Sequence, residues 1–191
     1  MTLARSGIMS SFLTKIQTIL DKGGFVASYK LALLLSLVRL AEDSETTLST
    51  FEIAEEYLAL YWRQVAPFQG TVLKQNSGKQ SAIINAIAAA RADGVSQADP
   101  VAWRKLVKKV EQTVKVMPLW RLQTLGKVKD EFLYENVGKG SSITLKPGVA
   151  AELRKHRVEI TRMVQQAWTA YVCRYNNIDE SDELASFLFA A

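Results

Sequence analysis

Between Ser28 and Glu42 the chain is apolar nearly all round: Leu31, Leu33, Leu34, Leu35, Leu37, Val38 and Leu40 leave little polar face to turn toward water. A helix of that kind is stable only when other elements surround it. The segment therefore predicts a central helix, wrapped by the rest of a chain long enough to do so. With 191 residues and 48% hydrophobic side chains there is enough material, and wholesale disorder is excluded. The widest apolar run, Phe25 to Ala41, is interrupted by Lys30 and Arg39 and is shorter than the roughly 20 residues a membrane span needs. The N-terminus carries no apolar stretch ahead of a small-residue cleavage site, so a cytoplasmic location and no membrane partner are expected.

The wrapping elements have their own signals. Ser10 or Ser11 caps a first helix through Phe12, Leu13, Ile16, Ile19 and Leu20, and Gly23-Gly24 ends it. Ser49 and Glu52 form a capping box that opens a third helix through Tyr57, Leu60, Tyr61 and Trp62. A small-residue helix is expected from Gln80 to Arg91. Asp99-Pro100 is a cap followed by proline at the first helical position. In the helix that follows, Trp103, Leu106, Val107, Val110 and Val114 form an inward stripe, with Lys105, Lys108, Lys109, Gln112 and Lys115 outside.

Past residue 131 the rhythm changes to two short strands, 132–137 and 142–146, joined by Gly138-Lys139-Gly140-Ser141. Pro147 then opens a long helix reaching about Tyr175, Asn176-Asn177 breaks it, and Asp179 or Ser181 caps a short last helix. The expected fold is mainly α: a multi-helix bundle with one β-hairpin and a winged-helix-like second half. A neutral helical subdomain (1–95) and a basic one (96–191, hairpin near 132–146) are expected, as separate units or as one compact domain.

Charge sharpens that division. Residues 1–103 carry 9 basic and 9 acidic side chains, 104–174 carry 15 and 6, and the last 17 carry 4 acidic and none basic. The net +5 is thus a neutral half, a +9 block and a −4 tail. A +9 block concentrates phosphate ligands by long-range attraction.

Catalytic chemistry finds little to use. One Cys, Cys173, makes no internal disulfide, and one Cys with one His, His156, does not fill a zinc site. His156 falls between Leu153 and Ile160 and reads as a structural histidine. Ser77-Gly78-Lys79-Gln80 lacks the Ser or Thr that follows lysine in a P-loop, and Leu73 stands where its first glycine belongs. Glu52, Glu55 and Glu56 suit the favourable end of a helix. No catalytic residue, metal site or cofactor is expected.

Binding chemistry remains. Arg104, Lys105, Lys108 and Lys109 share one helix, Lys139 sits at the hairpin tip, and Arg154 and Arg157 follow. A helix with a basic-tipped hairpin suits a groove and a phosphate backbone. Gln75, Asn76, Lys79 and Gln80 add polar groups able to pair with base edges.

An ordered set of segments also carries a resemblance. It comprises Tyr29 to Leu34, Leu48-Ser49 with Glu52-Ile53-Ala54, Tyr61-Trp62-Arg63-Gln64, and Val72 to Asn76 with Gly78-Lys79-Gln80. Pro118 to Gln123, Phe132-Leu133-Tyr134, Ile143 to Val149 and Leu184 to Phe189 complete it. In that order they resemble the amino-terminal, non-catalytic region of bacterial HNH endonuclease domain proteins of the restriction and anti-phage type. The resemblance covers most of the chain and implies an HNH nuclease module in cis. None of that module's cysteine pairs or histidines is present, so no catalytic residue carries over. The chain is then either a fragment or a homologue without the nuclease part. It implies a DNA-recognition or scaffold domain binding duplex DNA. The alternative is a protein-interaction or dimerisation module, a homodimer included, with Tyr61, Trp62, Trp120 and Phe187 as an exposed apolar patch.

Overall fold

The computed structural model describes residues 11–41, 46–125, 128–135 and 140–189. The apolar run forms α2 (Tyr29–Leu40), buried without a break from Leu31 to Val38. Ser36, the one polar residue in that stretch, returns its hydroxyl to the Ala32 carbonyl at 2.9 Å. Around α2 pack α3 (Thr50–Tyr61), the short helices α6 (Pro118–Arg121) and α7 (Val149–Lys155), and the long α8 (Arg157–Asn176). Helix α1 (Ser11–Lys22) lies on α8 through Leu13, Ile16 and Ile19. Helices α4 (Ala82–Ala92) and α5 (Pro100–Val116) pack on α3, and α9 (Asp182–Phe189) closes over α8. One continuous core spans both halves of the chain.

The local signals act as expected at several ends. Ser49 accepts from the Glu52 N–H at 3.0 Å while Glu52 accepts from the Ser49 N–H at 2.9 Å, which completes the capping box. Helix α8 ends at Asn177 in the left-handed conformation (φ 57°). Ser181 accepts from the Leu184 N–H at 3.1 Å to start α9.

The long helix expected from Pro147 is two helices, α7 and α8, which break at His156 (φ −104°, ψ 14°). The side chain of His156 is mostly buried and lies 3.4 Å from Glu152.

The strands also pair differently from expectation. Strand β1 (Thr47–Ser49) is antiparallel to β4 (Ser142–Thr144), with Leu48 opposite Ile143 and both buried. Among the described residues, the segment expected to be the first hairpin strand, near 132–137, reaches the second through the Tyr134–Leu145 bridge and the Lys146 N–H on the Leu133 carbonyl at 2.9 Å. A two-residue ladder, β2 (Thr124–Leu125) with β3 (Val128–Lys129), makes a second small hairpin. The molecule is mainly α-helical with small antiparallel strand pairs. Among the described residues no helix is long and apolar enough to cross a membrane.

Candidate nucleic-acid interface

Helix α5 is built as its sequence directs. Asp99 Oδ1 accepts from the Val101 and Ala102 N–H groups at 3.1 and 3.0 Å, and Pro100 occupies the first turn. Leu106, Val107, Val110 and Val114 are buried, with Trp103 packed edge-to-face against Trp62 at 5.1 Å between ring centres. The opposite face presents Lys105, Lys108 and Lys109, all exposed and without an ion-pair partner among the described residues.

Two cations on this helix are tied down. The Arg104 guanidinium lies over the Phe51 ring at 5.4 Å. It also faces Glu55, whose carboxyl is pushed up by burial and by Glu52 and Glu56, with Arg104 pulling the other way. Lys115 pairs with Glu111 at 2.7 Å. Glu111 is buried within the inward stripe, a placement that periodicity did not reveal.

Burial pushes the Glu111 carboxyl up, but hydrogen bonds from Lys115 and Thr50 and the nearby Lys108 outweigh it, so the group titrates below its ordinary 4.5. A carboxyl depressed by folding stabilises the protein above its unfolded value and loses that contribution as pH falls through the folded value. Equilibrium unfolding between about pH 5 and pH 3 checks this. Glu111→Gln is expected to lower stability at pH 7 and to flatten the loss below pH 4.5.

The other expected contact residues are scattered. Arg154 is exposed but donates to the Ala41 carbonyl at 2.8 Å, closing the C-terminal end of α2. Arg157 is exposed at the start of α8. These two sit on the helices that flank α2, whereas α5 packs chiefly on α3, α4 and α6. Lys79 is exposed, and half-buried Asn76 accepts from the Gly78 N–H at 3.0 Å. Lys139 lies outside the described residues.

Gln75 corrects the expectation outright, because it is fully buried and unable to reach a base edge. Its Nε2 donates to Gln64 Oε1 at 2.6 Å, and its Oε1 accepts from Trp168 Nε1 at 2.8 Å. Gln80 turns inward too: its Oε1 accepts from the Gln75 and Ser81 N–H groups at 3.2 and 2.9 Å, and its Nε2 donates to the Leu73 carbonyl at 3.1 Å. The Gln-Asn-x-Gly-Lys-Gln stretch is therefore a loop clasped by its own side chains.

Residues 9–188 match a domain of unknown function, DUF8808. The chain belongs to the DUF8808 family. No curated protein and no solved structure matches it. The DUF8808 match takes in every element from α1 through α8 and nearly all of α9, so the α5 face belongs to the family's own domain.

A second basic feature of this DUF8808 chain lies apart from the α5 lysines. Lys22, Lys30 and Arg121 come together around an open cavity of about 280 Å³ with Gly23, Gly24 and Thr124. Asn76 and Met117, the residue just past α5, line an adjoining recess that shares Lys30 and Arg121. The three cations are spread over α1, α2 and α6, so no run of charge marks them in sequence. The only available sign was Lys30, a charge inside the most apolar stretch of the chain.

Elsewhere the chemistry is quiet. Among the described residues no three His, Cys, Asp or Glu side chains converge as metal ligands. Cys173 is buried, and burial followed by Glu180 and Asp179 pushes its thiol up, the reverse of an activated nucleophile.

Proposed function

We propose that this domain binds nucleic acid, duplex DNA in the first instance, through the outer face of α5. One observation carries the reading: Lys105, Lys108 and Lys109 stand exposed on a well-capped helix, with no ion pair among the described residues. Unpaired lysines on a fixed helix suit phosphate contacts, which position a protein on a duplex without reading its sequence. Arg104 borders this face on the same helix, and the +9 block supplies the long-range attraction. The resemblance to the non-catalytic part of HNH endonucleases supports a recognition or scaffold role beside a nuclease module. Fluorescence anisotropy with a labelled duplex at about 50 mM salt is expected to show binding, and its absence there would end this reading.

A protein-interaction or dimerisation role is the second reading. Tyr61 is fully buried, Trp62 packs on Trp103, and Phe187 packs on Phe68 at 5.2 Å, so three of the four expected patch residues are committed to the core or its margin. What favours the reading is a different set: Val116, Met117 and Trp120, running from the end of α5 into α6, are 67%, 41% and 39% exposed. Light scattering decides it. A mass rising with concentration supports association, and a constant monomer mass of 21.3 kDa removes it.

A further inference from the structure

Lys30 occupies a position that costs the protein stability. It lies in the first turn of α2, where the positive end of the helix disfavours a cation. It is half-buried, and burial followed by the charge of Arg121 pushes its ammonium below the ordinary lysine range. No carboxylate relieves either Lys30 or Arg121 among the described residues. The compensation found among the described residues is neutral: Lys30 donates to the Gly23 carbonyl and lies 5.7 Å from the centre of the Phe25 ring.

Two neighbouring like charges with no counter-ion among the described residues describe half of an anion site. The local backbone holds that half in place. A Cβ on Gly23 would collide with the Ile19 carbonyl oxygen, and Gly24 has φ +55° with open space beside it. These two glycines let the chain leave α1 tightly and set Lys22 against Lys30 and Arg121. The adjoining recess has a different character, lined by Val26 and Met117, 63% and 41% exposed, together with Asn76.

We propose that Lys22, Lys30 and Arg121 form a binding site for a phosphomonoester, with the Val26–Met117 recess taking the apolar or heteroaromatic group it carries. A phosphomonoester supplies up to two negative charges and three acceptor oxygens, enough to satisfy the lysines and the guanidinium fork together. Two sources share this chemistry: a free nucleoside monophosphate, or the 5′-phosphate at the end of a strand. The site is separate from the α5 lysines and does not depend on them.

Calorimetric titration of the full chain at low salt tests it, with inorganic phosphate, adenosine monophosphate, adenosine, and a short oligonucleotide with or without its 5′-phosphate. Adenosine monophosphate is expected to bind and adenosine not to bind. Tighter binding of the phosphorylated oligonucleotide than of its 5′-hydroxyl form would identify the strand end as the source, and no difference would identify the free nucleotide. Arg121→Gln is expected to weaken phosphomonoester binding by about tenfold or more. Arg121 is exposed, so its replacement leaves the fold in place. Lys30→Met keeps most of the volume and is expected to weaken binding at least as much. Replacing Lys105, Lys108 and Lys109 by Gln is expected to leave it unchanged, which separates this site from the α5 face. Failure of inorganic phosphate and adenosine monophosphate to bind together with equal binding of the two oligonucleotide forms, or equal binding of adenosine monophosphate by Arg121→Gln and the wild type, would overturn the proposal.

Discussion

Gln75→Leu is expected to destabilise the protein by about 3 kcal/mol, since each buried polar group left unpaired costs roughly 1–3 kcal/mol. The leucine would strand the Trp168 indole N–H and the Gln64 carbonyl oxygen, both now bonded to Gln75. Neither has a substitute nearby, because Trp168 is fully buried between Tyr61 at 5.2 Å and Phe189 at 5.5 Å. Gln64 is fully buried too, with its Nε2 already donating to the Leu60 and Leu188 carbonyls. The network thus joins α3, the 71–80 loop, α8 and the end of α9. Among the described residues no buried side-chain nitrogen or oxygen lacks a partner, so this loss would stand alone. Urea unfolding checks it: the midpoint should fall with an unchanged slope, and Tm should drop by roughly 10 °C. An exposed, base-reading Gln75 would tolerate leucine within about 0.5 kcal/mol, and that result would contradict the buried network.

Gln75 also illustrates where sequence stops being legible. A glutamine clasping a loop and a glutamine facing solvent have the same local pattern, and only the distant partners, Gln64 and Trp168, tell them apart. Gln123 repeats the lesson, because its amide holds Leu133 and Tyr134 from inside the core. Helix ends were legible because their chemistry is local. The Ser49–Glu52 box, the Asp99-Pro100 start and the central α2 all lie within a few residues of the signals that announce them.

Non-local pairing left no such mark. Strand β1 is three residues long, too short for alternation to show, and its partner β4 lies almost a hundred positions away. The break at His156 was hidden because Leu153 and Ile160 keep helical spacing across it, and both are buried. In the candidate site, the outward lysines of α5 were readable from amphipathicity. The cavity cations were not, since Lys22, Lys30 and Arg121 meet only through the packing of α1, α2 and α6.

The second large effect concerns those α5 lysines. Replacing Lys105, Lys108 and Lys109 by Gln removes three exposed charges while leaving Leu106, Val107 and Val110 in the core. Each lysine that neutralises a phosphate contributes about 0.9 to the slope of log K against log salt. Loss of all three should lower the slope by about 2.7 and weaken binding at about 100 mM salt by roughly 500-fold. Stability should stay within about 0.5 kcal/mol per site, so the loss of affinity would not reflect unfolding. Replacing the same three lysines by Arg keeps the charge and should keep most of the affinity.

The salt dependence of duplex binding, measured by anisotropy from about 50 to 200 mM salt for the wild type and the triple Lys→Gln variant, tests the account most directly. Binding through α5 predicts a steep line for the wild type and a line shallower by about 2.7 for the variant. Parallel lines of equal affinity, or no binding by the wild type at the lowest salt, would contradict it.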